Sequence, residues 1–208
     1  MRHMRFYQNL PDDLHCFQAA LKIVLSRYFP EREFSFAFID KVTGFKKGQF
    51  TQDSKGLLWL VQMGFALVRV SDFDDKRFVR EGEKYLKWYW RPEIFERNKK
   101  NTDFKEMRSL AKALLPHTKI TVRKPRASDI DALLAQGYTV MAHINPREID
   151  PKFSDIIHTV VIARSTNCFF FIHNPGLPPQ ENQKVSKKRL QRALYELVGI
   201  RPVRGTRT

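Results

Sequence analysis

The chain has 208 residues, 42% of them hydrophobic, which is enough apolar material for one packed domain or a domain with a large insertion. No apolar run reaches the roughly 18 residues that a membrane span needs, and the first residues are charged and include His and Pro where a secretory leader is apolar. Two cysteines are too few for a disulfide-stapled secreted domain of this length, so a soluble, cytoplasmic protein with free thiols is expected.

The net charge of +15 is unevenly spread. Residues 1–75 carry +1 and residues 127–183 carry −3, whereas 76–126 carry +10 and 184–208 carry +7. An anionic partner would be drawn to the middle segment and the tail, although a solvated basic surface explains the same composition.

In chain order, residues 16–29 place Phe17, Ala20, Leu21, Val24, Leu25 and Tyr28 at spacings of three and four, the signature of a helix with one apolar face. Asp12 and Asp13 stand upstream as caps and Pro30 ends the helix. Residues 34–44 and 54–64 read as two short helices and 66–70 as a strand. The stretch 75–115 is charged and helical, and TKITVRK at 118–124 alternates like a strand. A short helix over 127–136 precedes three apolar strands at 138–144, 158–164 and 168–173, and a last helix spans 185–197 before a basic tail. The order predicts an α+β fold, a helical N-terminal lobe followed by a mostly antiparallel sheet.

The chemistry-bearing residues lie at the ends of these elements. Cys16 opens the first helix, where unpaired N–H groups and the helix dipole stabilise a thiolate. His158 opens an apolar strand and can exchange a proton with that thiol. Asn174, sixteen residues on at the end of the next strand, begins Asn-Pro-Gly and is placed to hold the second ring nitrogen of the histidine. Gln8 can donate to a developing oxyanion together with the Cys16 N–H.

These pieces resemble the bacteriocin-processing, double-glycine leader peptidases and their stand-alone relatives, within the papain-like superfamily. The resemblance rests on Gln8, Cys16-Phe-Gln-Ala-Ala, Leu133-Leu-Ala-Gln-Gly-Tyr-Thr-Val, His158-Thr-Val-Val-Ile, Asn174-Pro-Gly and Val185-Ser-Lys-Lys-Arg-Leu, and covers roughly 5–75 and 127–200. It implies a papain-like fold and a cysteine peptidase or related amide-bond acyl-transfer enzyme acting on a peptide or protein, with a Cys16, His158, Asn174 triad and Gln8 at the oxyanion. It implies no cofactor and no metal. The sequence departs from the family at Phe17, where glycine is common, at Gln8, which lies eight residues before the cysteine where about six is usual, and at Asn174, the acid position, filled as in papain-type enzymes. Residues 76–126 have no counterpart in the compact core and read as a basic helical insertion.

Other readings compete. A papain-like module can bind peptide without cutting it. Lys84-Tyr-Leu-Lys-Trp-Tyr-Trp-Arg91 interleaves cations and aromatics as nucleic-acid binders do, but on a helix Tyr85, Trp88 and Tyr89 share a face that docks on the body while Lys84, Lys87 and Arg91 face water. Cys168, at the start of an apolar strand, is expected in the core. His15, His143 and His173 are expected to be structural hydrogen-bonders, and neither Cys-x-x-Cys nor His-Glu-x-x-His supports a zinc site around Cys16.

Overall fold

The computed structural model describes residues 4–49, 51–152, 156–176 and 178–203. It is an α+β fold built on one seven-stranded sheet. Helix α1 (Cys16–Tyr28), α2 (Phe36–Thr43) and α3 (Asp53–Gln62) form the N-terminal lobe and lead into β1 (Phe65–Ser71). Four helices follow, α4 (Asp75–Glu81), α5 (Glu83–Tyr89), α6 (Pro92–Asn101) and α7 (Phe104–Leu114), and then β2 (Thr118–Val122). After α8 (Ala127–Ala135) come β3 (Thr139–Ile144), β4 (His158–Ser165), β5 (Phe169–Asn174), β6 (Gln180–Ser186), α9 (Lys187–Ala193) and β7 (Leu194–Pro202). Among the described residues no helix is long and apolar enough to cross a membrane.

The strand order is β2-β1-β7-β3-β4-β5-β6, antiparallel throughout except for the parallel β1–β2 pair. Side chains alternate across such a sheet, so each face builds its own core. Met141, Val161, Val198 and Ile200 face the N-terminal lobe and pack with Leu21, Leu25, Leu57 and Leu60. Val140, Val160, Ile162, Phe170 and Leu197 face α8 and α9 and pack with Ile130, Leu133 and Leu190.

Helix α1 lies against β4 and is buried on more than the one face expected of it. Gln18, Lys22 and Ser26 are buried as well, and the Lys22 ammonium is satisfied by Glu33 at 3.1 Å and by the Tyr7 ring at 4.4 Å. The expected caps also differ. His15 occupies the N-cap position of α1 and makes no side-chain cap. Asp12 instead accepts from the Leu14 N–H at 3.1 Å, and Asp13 accepts from the Asn9 carboxamide at 2.8 Å. The first turn of α1 therefore keeps its positive end open beside Cys16.

The main correction concerns the C-terminal third. The helix expected over 185–197 is only α9, flanked by β6 and β7, and β7 lies in the middle of the sheet between β1 and β3. Leu190, Leu194, Leu197 and Val198 recur at helical spacings, but hydrogen bonding of β7 to strands on both sides outweighs that local pattern. Gly199 is required there by close approach, since a Cβ would stand 3.1 Å from the Leu133 side chain and 3.2 Å from Tyr138.

The segment 75–114 closes around Phe73, Phe78, Tyr85, Leu86, Phe95, Phe104 and Ala111. Tyr85 is buried, and the Tyr89 hydroxyl donates to Asp72 at 2.5 Å, but Trp88 is 66% exposed, against expectation. One helical step of 100° turns Trp88 off the face that Tyr85 and Tyr89 share, and the Arg77 guanidinium covers its ring at 4.1 Å. Cys168 is exposed in the turn before β5, outside the core. Of the basic tail, Arg204 and Arg207 lie outside the described residues.

Because β7 is an interior strand, truncating Leu197 leaves a hole between sheet and helices. Leu197→Ala is expected to cost about 2–5 kcal/mol in denaturant unfolding, and Tyr195→Ala, on the half-exposed part of the strand, less than about 1 kcal/mol.

Candidate active site

Three elements converge on the start of α1. Asn9 shapes the approach: its side-chain oxygen accepts from the Leu10 N–H at 2.9 Å and the His15 N–H at 2.8 Å, and its backbone N–H donates to Pro175 O at 2.7 Å. This last bond ties the turn before Cys16 to the turn after Asn174. Asp13 takes a left-handed φ of 56° in this turn, a conformation that costs energy for a non-glycine residue.

The structure brings Cys16, His158 and Asn174 together. The half-buried Cys16 thiol lies beside the His158 ring, which favours its thiolate form. His158 Nε2 lies 2.8 Å from Asn174 Oδ1. The carboxamide orientation is fixed by its other partners, because Oδ1 also accepts from the Gly176 N–H at 3.1 Å while Nδ2 donates to Gln183 Oε1 at 3.1 Å. Oδ1 can only accept, so His158 Nε2 carries a proton and Nδ1 is left to face the sulfur. Gly176 makes room for the ring: a Cβ would stand 3.0 Å from both Cε1 and Nε2 of His158.

The electrostatics follow from this geometry. Burial pushes the Cys16 thiol up, but the hydrogen bond and charge of His158, the Thr159 N–H and the charge of His143 outweigh it and bring the thiol down to about 7. Burial pushes His158 down, and its bond to Cys16, the Cys16 charge, the Asn174 bond and the charge of Asp13 more than reverse this, leaving it above its ordinary value. Each partner thus favours the charged form of the other.

Gln8 stands exposed in the segment before α1, and its side chain has no hydrogen-bond partner among the described residues. His15 is buried on the far side, between Asp12 at 3.0 Å and Asp40 at 3.4 Å and against Phe45, as a structural residue. His173 packs on Phe6, and its Nδ1 lies 3.4 Å from the Asn182 N–H.

His143 plays a larger part than its sequence position suggests. Its Nδ1 is 3.1 Å from Thr159 Oγ1, and Nε2 is 3.4 Å from Asp53 Oδ2, an ion-pair separation and not a close hydrogen bond. Burial lowers His143, but Asp53, Glu196 and Cys16 together raise it above its ordinary value. Burial raises the Asp53 carboxyl, and the nearby His143 ring with the charge of Arg69 brings it down to about 2. Asp53, His143 and Glu196 place ligand-type atoms within 4.8 Å of one another, a grouping that contains neither Cys16 nor His158. Arg69 already occupies Glu196 at 2.7 Å and Asp75 at 3.0 Å, so the cluster is a salt-bridged network. Sequence spacing offered no signal for it, because its members come from α3, β1, α4, β3 and β7.

No family model and no curated protein matches this chain. Two solved structures match over nearly their whole length. The peptidase domain of Streptococcus ComA, a bi-functional ABC transporter involved in quorum sensing, has a TM-score of 0.55 at 14% identity and covers 97% of this chain and 100% of its own. A double-glycine-motif protease from an AMS/PCAT transporter, solved with a leader peptide, has a TM-score of 0.52 at 11% identity and covers 97% of this chain and 94% of its own. The fold is that of the papain-like cysteine peptidases. Within that class it is the fold of the double-glycine peptidase domains.

Two outcomes follow. Gly176→Ala should displace the His158 ring and raise the apparent pKa of Cys16, read from its alkylation rate against pH, with little change in the melting temperature. The Asp53 carboxylate, depressed in the folded state, contributes stability above the unfolded carboxylate pKa and loses it as pH falls towards about 2. In paired urea titrations, Asp53→Asn should therefore cost on the order of 2 kcal/mol at pH 6 and about half as much at pH 3.

Proposed function

We propose that this chain is a cysteine peptidase or a related amide-bond acyl-transfer enzyme, with Cys16, His158 and Asn174 as its catalytic set. The observation that carries this reading is the continuous series from thiol to imidazole to carboxamide, with each polar atom given one role. The Cys16 thiolate attacks the carbonyl carbon of an amide, and His158 passes the proton it holds to the leaving amine as the C–N bond breaks. Water or a second amine then resolves the thioester, with His158 removing a proton from that nucleophile. The Cys16 N–H, at the uncapped start of α1, and the free carboxamide of Gln8 supply oxyanion donors. A catalytically silent module has no need of a thiol set beside an imidazole, and this pairing favours catalysis.

A peptide is the substrate class. A protease of the same fold is known with a leader peptide, and Leu14, Ile156 and Ile157, which flank Cys16 and His158 in the chain, are exposed apolar side chains able to receive one. The basic segment 76–126, read as an insertion into this fold, serves a separate anionic partner. Its strand β2 forms the sheet edge, separated from β4 by three strands, while α7 packs on α3.

The test uses Cys168→Ser protein, because Cys168 is exposed and would be labelled as well. An epoxide-type cysteine-protease inhibitor should form one adduct, at Cys16, near neutral pH. Adding His158→Ala should slow alkylation at pH 7 by about tenfold or more, since an unassisted thiol is only a few per cent ionised there. Equal rates with and without His158, or no adduct at Cys16, would sink the reading. Digestion of a peptide mixture, compared with Cys16→Ala protein by mass spectrometry, then separates hydrolysis from transfer.

A further inference from the structure

The sheet face that meets the N-terminal lobe carries a polar row beneath Cys16. Thr159 of β4, His143 of β3 and Glu196 of β7 are direct neighbours in register, and Arg69 of β1 continues the row through its bond to Glu196. The row begins next to His158 with Thr159, whose N–H favours the Cys16 thiolate and whose hydroxyl meets His143 Nδ1 at 3.1 Å. Asp53, from α3, faces the other ring nitrogen at 3.4 Å. The Phe17 ring, adjacent to Cys16 in sequence, stacks on His143 with centroids 6.5 Å apart and planes at 23°. Phe17 fits because α3 has Gly56 there: a Cβ at that position would stand 2.9 Å from the Phe17 ring.

Charge decides the state of His143. The groups that face it are Cys16 from α1, Asp53 from α3 and Glu196 from β7, with Arg69 from β1 and Asp75 from α4 beyond Glu196. With a neutral imidazole the row holds three carboxylates against one guanidinium, and ionising Cys16 adds a fourth negative charge. A proton on His143 gives both ring nitrogens a donor role, Nδ1 towards Thr159 and Nε2 towards Asp53, and places a second cation beside the sulfur.

We propose that His143, held as an imidazolium between Thr159 and Asp53, is a second positioning residue for the Cys16 thiolate, fixing Thr159, the strand residue next to His158, and adding a positive charge that His158 does not supply. His143 moves no proton in the reaction. It rests on Cys16 being the nucleophile, as proposed above, and its test separates the two ideas.

The experiment measures iodoacetamide alkylation of Cys16 against pH in Cys168→Ser protein, with His143→Gln, Asp53→Asn and His158→Ala added singly and folding checked by melting temperature. His143→Gln keeps a hydrogen-bonding side chain but no charge. It should raise the apparent thiol pKa by about 0.5–1 unit, and Asp53→Asn should raise it by less. A His143→Gln profile that superimposes on its parent in folded protein overturns the inference while leaving the cysteine-peptidase reading intact. An unperturbed Cys16 profile in the parent that ignores His158→Ala overturns both. If His143→Gln does not fold, Asp53→Asn decides: an upward shift supports the inference and an unchanged profile overturns it.

Discussion

The site depends on how one carboxamide is oriented. Asn174 has an acceptor and a donor end, and each is assigned by a neighbour outside the site: the Gly176 N–H marks Oδ1 and the Gln183 carbonyl marks Nδ2. From that assignment the proton on His158 Nε2 follows, then the free Nδ1, and then the partner of the Cys16 sulfur. A carboxylate at 174 would accept from His158 equally well, with the Gln183 carboxamide turned to donate to it. The β5–β6 pairing, which sets Asn174 opposite Gln180 and carries Gln183, is therefore part of the site's construction.

Burial and charge work against each other at the thiol. Desolvation alone would leave Cys16 neutral, and the helix start, the imidazole and the Thr159 N–H must overcome it. The geometry that achieves this is rigid because α1 is buried along most of its length against β4, the strand that supplies His158 and Thr159. The Cys16 thiol and its partners ride on two elements pressed together by the hydrophobic effect. The bond from Asn9 to Pro175 fastens the two turns that border them.

Cys16, His158 and Asn174 were legible in the sequence because each stands at an end of a strongly patterned element, where both type and position carry meaning. The antiparallel sheet and the first three helices were legible for the same reason. β7 was not, because Leu190, Leu194, Leu197 and Val198 satisfy a helical repeat as well as a strand, and the deciding bonds come from strands more than fifty residues away. Trp88 was misplaced because spacing locates a face only to within about a third of a turn. The network of Arg69, Asp75, Glu196, Asp53 and His143 was invisible because its members are scattered along the chain and meet only on the assembled sheet.

Phe17 shows how a departure from a family pattern can have a structural cause. A large ring immediately after the nucleophile looks, in sequence, like an obstacle to the helix start. In the structure it is buried, occupying the space left by Gly56 on α3 and lying across His143. By shielding His143 from water, the ring strengthens every charge interaction that the imidazole makes, including those with Asp53 and Cys16. Burial alone favours the neutral ring, so packing and charge pull His143 in opposite directions, and the charges of Asp53 and Glu196 prevail. Phe17, Gly56 and His143 therefore form one unit, in which a side chain at 56 would displace the ring that lies on His143.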